Sequence, residues 1–148
     1  MKIVCEFITA VFVAICIFIT AGIYSYKSSA ADNIEALAYN CYFEARNSTT
    51  EDQIATMVTV MNRGTPSVEV YKKDQFSWTR EYSKPADNAA LKKCKALAHM
   101  VYSNYELFKS KNICKHYTAV GKEYSGGHWT KTFKRRTRIG GHWYYCNQ

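Results

Sequence analysis

The stretch Asp32–Arg46, DNIEALAYNCYFEAR, decides how the fold is read. Asp32, followed three residues on by Glu35, has the form of an N-cap with its capping-box partner. Ile34, Leu37, Ala38, Cys41 and Ala45 then recur at helical spacing, which gives the helix one apolar face. At about 100° per residue, Glu44 falls beside Leu37 at the margin of that face, while Arg46 points away from it. A carboxyl held against apolar neighbours has its charged form disfavoured. Its pKa rises, which suits a general acid. A helix-edge glutamate with its head in water has the same spacing, so the residues alone leave both readings open.

Upstream, Phe7 to Ile23 is an almost unbroken apolar run of about 17 residues, between a signal-peptide core and a membrane span in length. It is apolar on every side, which a buried core helix of a small domain is not. Tyr24 to Lys27 is polar, and Ser28-Ser29-Ala30-Ala31 supplies small residues for a cut after Ala30 or Ala31. Residues 1–31 are therefore expected to be a signal peptide or a signal-anchor. In the second case residues 3–23 would hold the chain in the inner membrane. The expected location is the periplasm or cell envelope.

Residues 32–148 make one domain's worth of chain, long enough to bury a real core. The whole chain carries 20 basic and 12 acidic residues. Two of the former and one of the latter lie in the leader, so the domain is basic by seven charges. That sign suits an anionic envelope polymer or membrane face, and by itself would also suit nucleic acid. Cys5 and Cys16 belong to the leader. Cys41, Cys94, Cys114 and Cys146 belong to the domain, an even number that suits disulfides in an oxidising compartment. Four cysteines allow three pairings, and buried free thiols are the alternative, since Cys41 and Cys94 both lie on apolar helical faces.

After a turn at Asn47-Ser48-Thr49, Thr50 and Gln53 have the spacing of a second capping box. Ile54, Met57, Val58 and Met61 stripe the helix behind it as core filler, and Asn62-Arg63-Gly64 stops it. Thr65-Pro66 starts a short helix over Val68–Tyr71. Gln75-Phe76-Ser77-Trp78 reads as a loop. Asp87 leads into a long helix, about Asn88 to Tyr105, with Leu91, Cys94, Leu97, Ala98, Val101 and Tyr102 inward and His99 on its flank. From His116 the pattern changes to short aromatic and β-branched runs between glycine pairs. His116–Val120, Arg138-Ile139 and His142–Tyr145 read as strands, and Gly126-Gly127 and Gly140-Gly141 as turns. The class is α+β, with a helical N-terminal part and a small antiparallel sheet at the C-terminal end.

In order, Tyr42-Phe43-Glu44-Ala45-Arg46, Gln53-Ile54-Ala55 running to Met61-Asn62-Arg63, Gln75-Phe76-Ser77-Trp78, His116-Tyr117, Trp129 and Ile139-Gly140-Gly141-His142 resemble the motifs of a known family. It is the cell-wall hydrolase family typified by the spore-cortex-lytic enzyme SleB. The resemblance spans nearly the whole domain, with a shorter loop between the second and third motifs than the family usually has. It implies a lysozyme- or lytic-transglycosylase-like fold and cleavage of the glycan strand of peptidoglycan, as a phage endolysin or a wall-remodelling enzyme. The family's catalytic acid maps onto Glu44. Gln75, Phe76, Ser77, Tyr117, Trp129 and His142 are the expected substrate-binding residues, and Trp78 and Trp143 are further rings able to stack on sugars.

One carboxyl is enough for a lytic transglycosylase, whereas a muramidase needs a second carboxyl or a positioned water. Asp52 and Asp74 are the nearest candidates, each more simply a helix-start or loop charge. Arg46 and Arg63 read as structural cations. No cofactor is expected, and the spacing of His116, His128 and His142 establishes no metal site. The main rival class is a non-catalytic polyanion or peptidoglycan binder built on Lys131–Arg138, a run that also reads as a solvated hairpin. Export argues against nucleic acid as a partner, and the domain is expected to work as a monomer on glycan strands.

Overall fold

The computed structural model describes residues 29–73, 75–80, 85–122, 132–133 and 135–146. The chain divides into Met1–Asp32, of which only residues 29–32 are described, and Asn33–Gln148, the unit described below. The expected leader and anchor at 3–23, together with Asp74, Gly126, Gly127, His128, Trp129, Lys131 and Lys134, lie outside the described residues. Among the described residues no helix is long and apolar enough to cross a membrane.

The class is α+β. Helix α1 covers residues 29–45, followed by α2 (Thr50–Met61), α3 (Pro66–Val70), a 3-10 turn (Ser77–Arg80), α4 (Asn88–Ser103) and α5 (Tyr105–Lys109). Strands β1 (His116–Ala119), β2 (Arg135–Ile139) and β3 (His142–Cys146) close the chain. They form one antiparallel sheet in the order β1-β3-β2, with His116 opposite Tyr145 and Arg138 opposite Trp143.

The element at the centre is α2. Asp52, Gln53, Ala55, Thr56, Met57, Val58, Thr59 and Val60 are all buried, so this helix is enclosed on nearly every side. It packs against α3, α4, α5, β1 and β2. A helix enclosed this way has to satisfy its polar side chains internally. The Gln53 amide nitrogen donates to the carbonyls of Ala45 (3.0 Å) and Arg46 (3.1 Å) where α1 ends, while its Oε1 and the Thr59 hydroxyl are buried without a partner of ordinary geometry. Thr56 donates to the Gln53 carbonyl at 2.8 Å. Against this helix, α1 contributes Ala36, Leu37, Ala38, Cys41 and Tyr42, and α4 contributes Cys94, Ala98 and Val101.

Polar side chains fix how the other elements meet this core. Asn33 accepts from the backbone N–H and the hydroxyl of Ser67, which sets α3 against α1. The Tyr42 hydroxyl oxygen accepts from the N–H groups of Ala86 and Asp87 at the entry to α4. Asn62 donates to the carbonyls of Asn112 and Cys114, both at 2.7 Å, and accepts from Tyr105. Two disulfides, Cys41–Cys94 and Cys114–Cys146, tie α1 to α4 and the start of the sheet to its last strand. The thiols that the sequence left open are therefore bonded, the pattern of an oxidising compartment.

Several expected boundaries move, each for a local reason. Asp32 lies inside α1, which is already helical at residue 29, so it is not the N-cap. Ala30 and Ala31 are the strongest helix formers and extend the helix past it. The cap of α2 is Thr49, whose hydroxyl accepts from the Asp52 N–H at 3.3 Å, and not Thr50. The short helix is Pro66–Val70, with Thr65 at the cap position and proline first. The helix expected to reach Tyr105 stops at Ser103, where Asn104 leaves the helical conformation (φ −121°, ψ 30°) and donates to the Met100 carbonyl through both its backbone N–H and its side-chain amide at 2.9 Å. Strand β2 starts at Arg135 rather than Arg138. It is an edge strand, where charged side chains are tolerated and discourage further pairing.

Candidate active site

Glu44 sits in the last turn of α1, and its half-buried side chain enters an open cleft of about 340 Å³. One wall is the corner from Phe43 to Ser48, and the other is formed by Ala119, Gly141 and His142. Burial pushes the Glu44 carboxyl above its ordinary value; the nearby His142, the Trp78 indole, Lys122 and Arg63 oppose that rise without cancelling it. The C-terminal end of the helix dipole also disfavours a negative charge there. Burial thus disfavours the charged form of the Glu44 carboxyl. The indole N–H of Trp78 is buried without a hydrogen-bond partner of ordinary geometry and is close enough to the carboxyl to favour its charged form. The Trp78 ring stacks on Phe43 at 4.6 Å and 20°, so the aromatic neighbour of Glu44 in sequence is what holds this indole beside it.

The opposite wall rests on a carboxylate that the sequence reading set aside. Asp52 is fully buried. Its Oδ2 accepts from the hydroxyl of Ser48, from the Gly141 N–H at 3.0 Å and from His142 Nδ1 at 2.8 Å. Its Oδ1 accepts from the Tyr144 hydroxyl at 2.6 Å. Burial alone would raise this carboxyl, but the hydrogen bonds from His142, Ser48 and Tyr144 outweigh it and hold Asp52 below the usual range. Asp52 is therefore an anion locked to the β2–β3 hairpin and not a solvated helix-start charge. One sequence signal pointed this way. Asp52, Thr56 and Thr59 fall on one stripe of α2, and all three are fully buried.

Gly140 makes this junction. It has φ of +53°, and a Cβ placed on it would lie 2.7 Å from Ser48 Oγ and 2.8 Å from both Cβ and Oδ2 of Asp52. The hairpin tip can lie on the start of α2 only without a side chain there.

His142 is 5% exposed and borders the cleft, with the Tyr117 ring edge-on at 5.2 Å. Tyr117 itself lies behind the cleft wall. Its hydroxyl donates to the buried Asn40 at 3.2 Å, and burial together with nearby Glu44 keeps the phenol well above its ordinary pKa. Phe76 is 7% exposed and belongs to the core, stacked between Tyr117 and Trp78, with the Arg63 guanidinium 5.4 Å from its ring centre. It offers no free face to a sugar. Gln75 is half-buried and Ser77 is exposed at the start of the 3-10 turn, and neither lines the cleft. Trp129 is outside the described residues.

Arg63 is half-buried, and burial lowers its pKa against the support of Tyr117, Glu69 and Glu44. It lies close behind the site, whereas Arg46 lies over the Tyr42 ring at 4.9 Å. Burial and two neighbouring cations bring His116 down to about 4, so it is neutral at physiological pH. Among the described residues no group of three His, Cys, Asp or Glu side chains gathers to hold a metal ion. No family model matches the chain, and no curated protein or solved structure matches it either.

Proposed function

We propose that this chain is a peptidoglycan-cleaving enzyme, a lytic transglycosylase with Glu44 as its acid. The observation that carries this reading is a carboxyl pushed above its ordinary value on the wall of an open cleft, at the position to which the family resemblance assigns catalysis. In the proposed reaction Glu44 protonates the glycosidic oxygen of the muramoyl–glucosaminyl bond, and C1 of the muramoyl sugar takes on oxocarbenium character. The C6 hydroxyl of the same sugar then attacks C1 and closes a 1,6-anhydro ring. Intramolecular attack benefits from high effective molarity and needs no nucleophilic carboxylate.

The state of Asp52 favours this reading over a muramidase. A second carboxyl serving as base would have to reach a water on the far face of the sugar. An ionised carboxylate has about four acceptor positions, and Asp52 faces four donors in a fully buried site. A lysozyme-like arrangement, with the acid at a helix end facing a small sheet, accords with the α+β class. The disulfides accord with an exported enzyme working in the periplasm or cell envelope, and anchoring by residues 3–23 is part of the same proposal.

The test is mass spectrometry of the fragments released from purified peptidoglycan in heavy-oxygen water. Fragments ending in 1,6-anhydro-muramic acid are expected. Reducing muramic ends carrying the label would make the enzyme a muramidase. Binding to the wall without release of fragments would favour the non-catalytic binder.

A further inference from the structure

The proposed reaction uses one residue of the cleft, yet the opposite wall is built around another. Enclosing a carboxylate costs several kcal/mol unless its partners compensate, and here four donors converge on Asp52. Three of them, from Ser48, Gly141 and Tyr144, also serve to hold the hairpin on α2. The fourth is a histidine whose ring borders the cleft. Because Asp52 is an anion that only accepts, the proton between it and His142 sits on Nδ1. A neutral imidazole then carries its lone pair on Nε2, at the ring edge turned away from Asp52. Glu44 and His142 line the same cleft, which puts the two groups within reach of one substrate.

We propose that Asp52 and His142 work as a carboxylate–imidazole pair, in which Asp52 positions His142 as the Nδ1–H tautomer and His142 Nε2 accepts the proton of the attacking C6 hydroxyl. This rests on the transglycosylase reading and divides its proton transfers between two groups. Glu44 gives its proton to the glycosidic oxygen as the C1–O bond breaks, leaving a free hydroxyl on the departing sugar. The C6 oxygen bonds to C1, and its proton passes to Nε2. The imidazolium then returns that proton to the Glu44 carboxylate, so both groups are reset and no oxidant, metal or water is consumed. The titratable and charged groups around the imidazole come from every element packed on it. They are Asp52 of α2, Glu44 of α1, Tyr117 of β1 and Tyr144 of β3, with Lys122 and Arg63 beside Glu44.

A structural role and a proton-accepting role separate in one variant. In His142→Asn the side-chain amide nitrogen stands near the place of Nδ1, so it still donates to Asp52, but nothing replaces Nε2. The experiment compares full-length wild type, His142→Asn and Asp52→Asn by kcat, KM and pH profile on purified peptidoglycan. Nitrogen NMR of the labelled proteins reads the His142 tautomer without reference to activity.

The expected results are an Nδ1–H tautomer in wild type and a kcat at least about 100-fold lower in His142→Asn with KM little changed. Asp52→Asn should shift the ring to the Nε2–H form with a similar fall in kcat, as a wrong tautomer does in other base–orienter pairs. If Asp52→Asn does not fold, the other two measurements still decide. A wild-type tautomer of Nε2–H, or His142→Asn with wild-type kcat, overturns the pair while leaving the function. A wild type that releases no fragments overturns the function and the proposed step together, and the tautomer measurement shows whether the pair exists without it.

Discussion

Replacing Gly140 with alanine tests the junction that builds the cleft, and Gly121 supplies the control. Both glycines have positive φ, +53° and +86°, so alanine strains the backbone at either, by about 1–2 kcal/mol. At Gly121 nothing lies within 4 Å of the added Cβ, and the backbone cost is the whole effect. At Gly140 the methyl meets Ser48 Oγ at 2.7 Å and Asp52 Cβ and Oδ2 at 2.8 Å. Asp52 Cβ is fixed to α2 and cannot retreat as the end of a flexible chain would. The hairpin must therefore lift, which breaks the hydrogen bond from the Gly141 N–H to the buried carboxylate. Loss of a hydrogen bond to a charged group adds about 1.5–3 kcal/mol, so Gly140→Ala should cost about 2.5–5 kcal/mol in all. For a domain of this size 1 kcal/mol moves Tm by about 4 °C, which gives losses of about 10–20 °C for Gly140→Ala and about 4–8 °C for Gly121→Ala. Thermal unfolding of the two variants under one set of conditions measures the difference. Equal losses would mean that the hairpin tip does not rest on Asp52, and the account of the cleft wall would fall with it.

Glu44→Gln should lower the rate of wall digestion by about 100- to 10,000-fold, the usual contribution of a general acid, without loss of structure. Because the folded protein holds this carboxyl above its ordinary 4.5, the stability that Glu44 contributes is complete below that value and is lost as pH rises through the raised one. Glu44→Gln should accordingly be more stable than wild type at neutral pH and lose that advantage in acid, which Tm across a pH series will show. The disulfides close loops with sequence separations of 53 and 32, so each should stabilise by about 4 kcal/mol, the longer slightly more. A Tm unmoved by reduction would contradict this. Arg136 and Arg138 are exposed on the edge strand, and replacing both with Gln should weaken binding to the wall at low salt and hardly at all at high salt, where surface charge is screened. The same loss at every ionic strength would point to a direct contact instead.

Apolar spacing made the helices legible, and β-branched and aromatic runs between glycines made the sheet legible, because both signals come from one face of an element meeting the core. What stayed hidden lies where polar groups are buried by pairing. The stripe Ile54, Met57, Val58 and Met61 locates α2, but Ile54 and Met61 are only partly buried, while Asp52, Gln53, Thr56 and Thr59 are more deeply enclosed. Nothing local distinguishes a solvated aspartate at a helix start from one that meets a histidine 90 residues later. The disulfide pairing was out of reach for the same reason. Phe76 was open to a stacking role until the guanidinium of Arg63 and the rings of Tyr117 and Trp78 were seen around it.

Glu44 and Asp52 show how two carboxyls of one small domain come to opposite states. Asp52 is fully buried and Glu44 half-buried, and burial by itself pushes each carboxyl up. Glu44 stands at the C-terminal end of α1, against the dipole, and beside an indole N–H that falls short of ordinary hydrogen-bond geometry. Asp52 stands in the first turn of α2, where the dipole favours an anion, and receives four donors. Helix polarity and donor supply therefore separate the two, leaving one inclined to hold a proton and the other to remain charged. The proposed reaction, which both gives and takes a proton, rests on that separation. Gln53 bonds the last carbonyls of α1 from its place next to Asp52 and so joins the two helix ends that create it. Loss of Gln53 should consequently disturb both walls of the cleft at once.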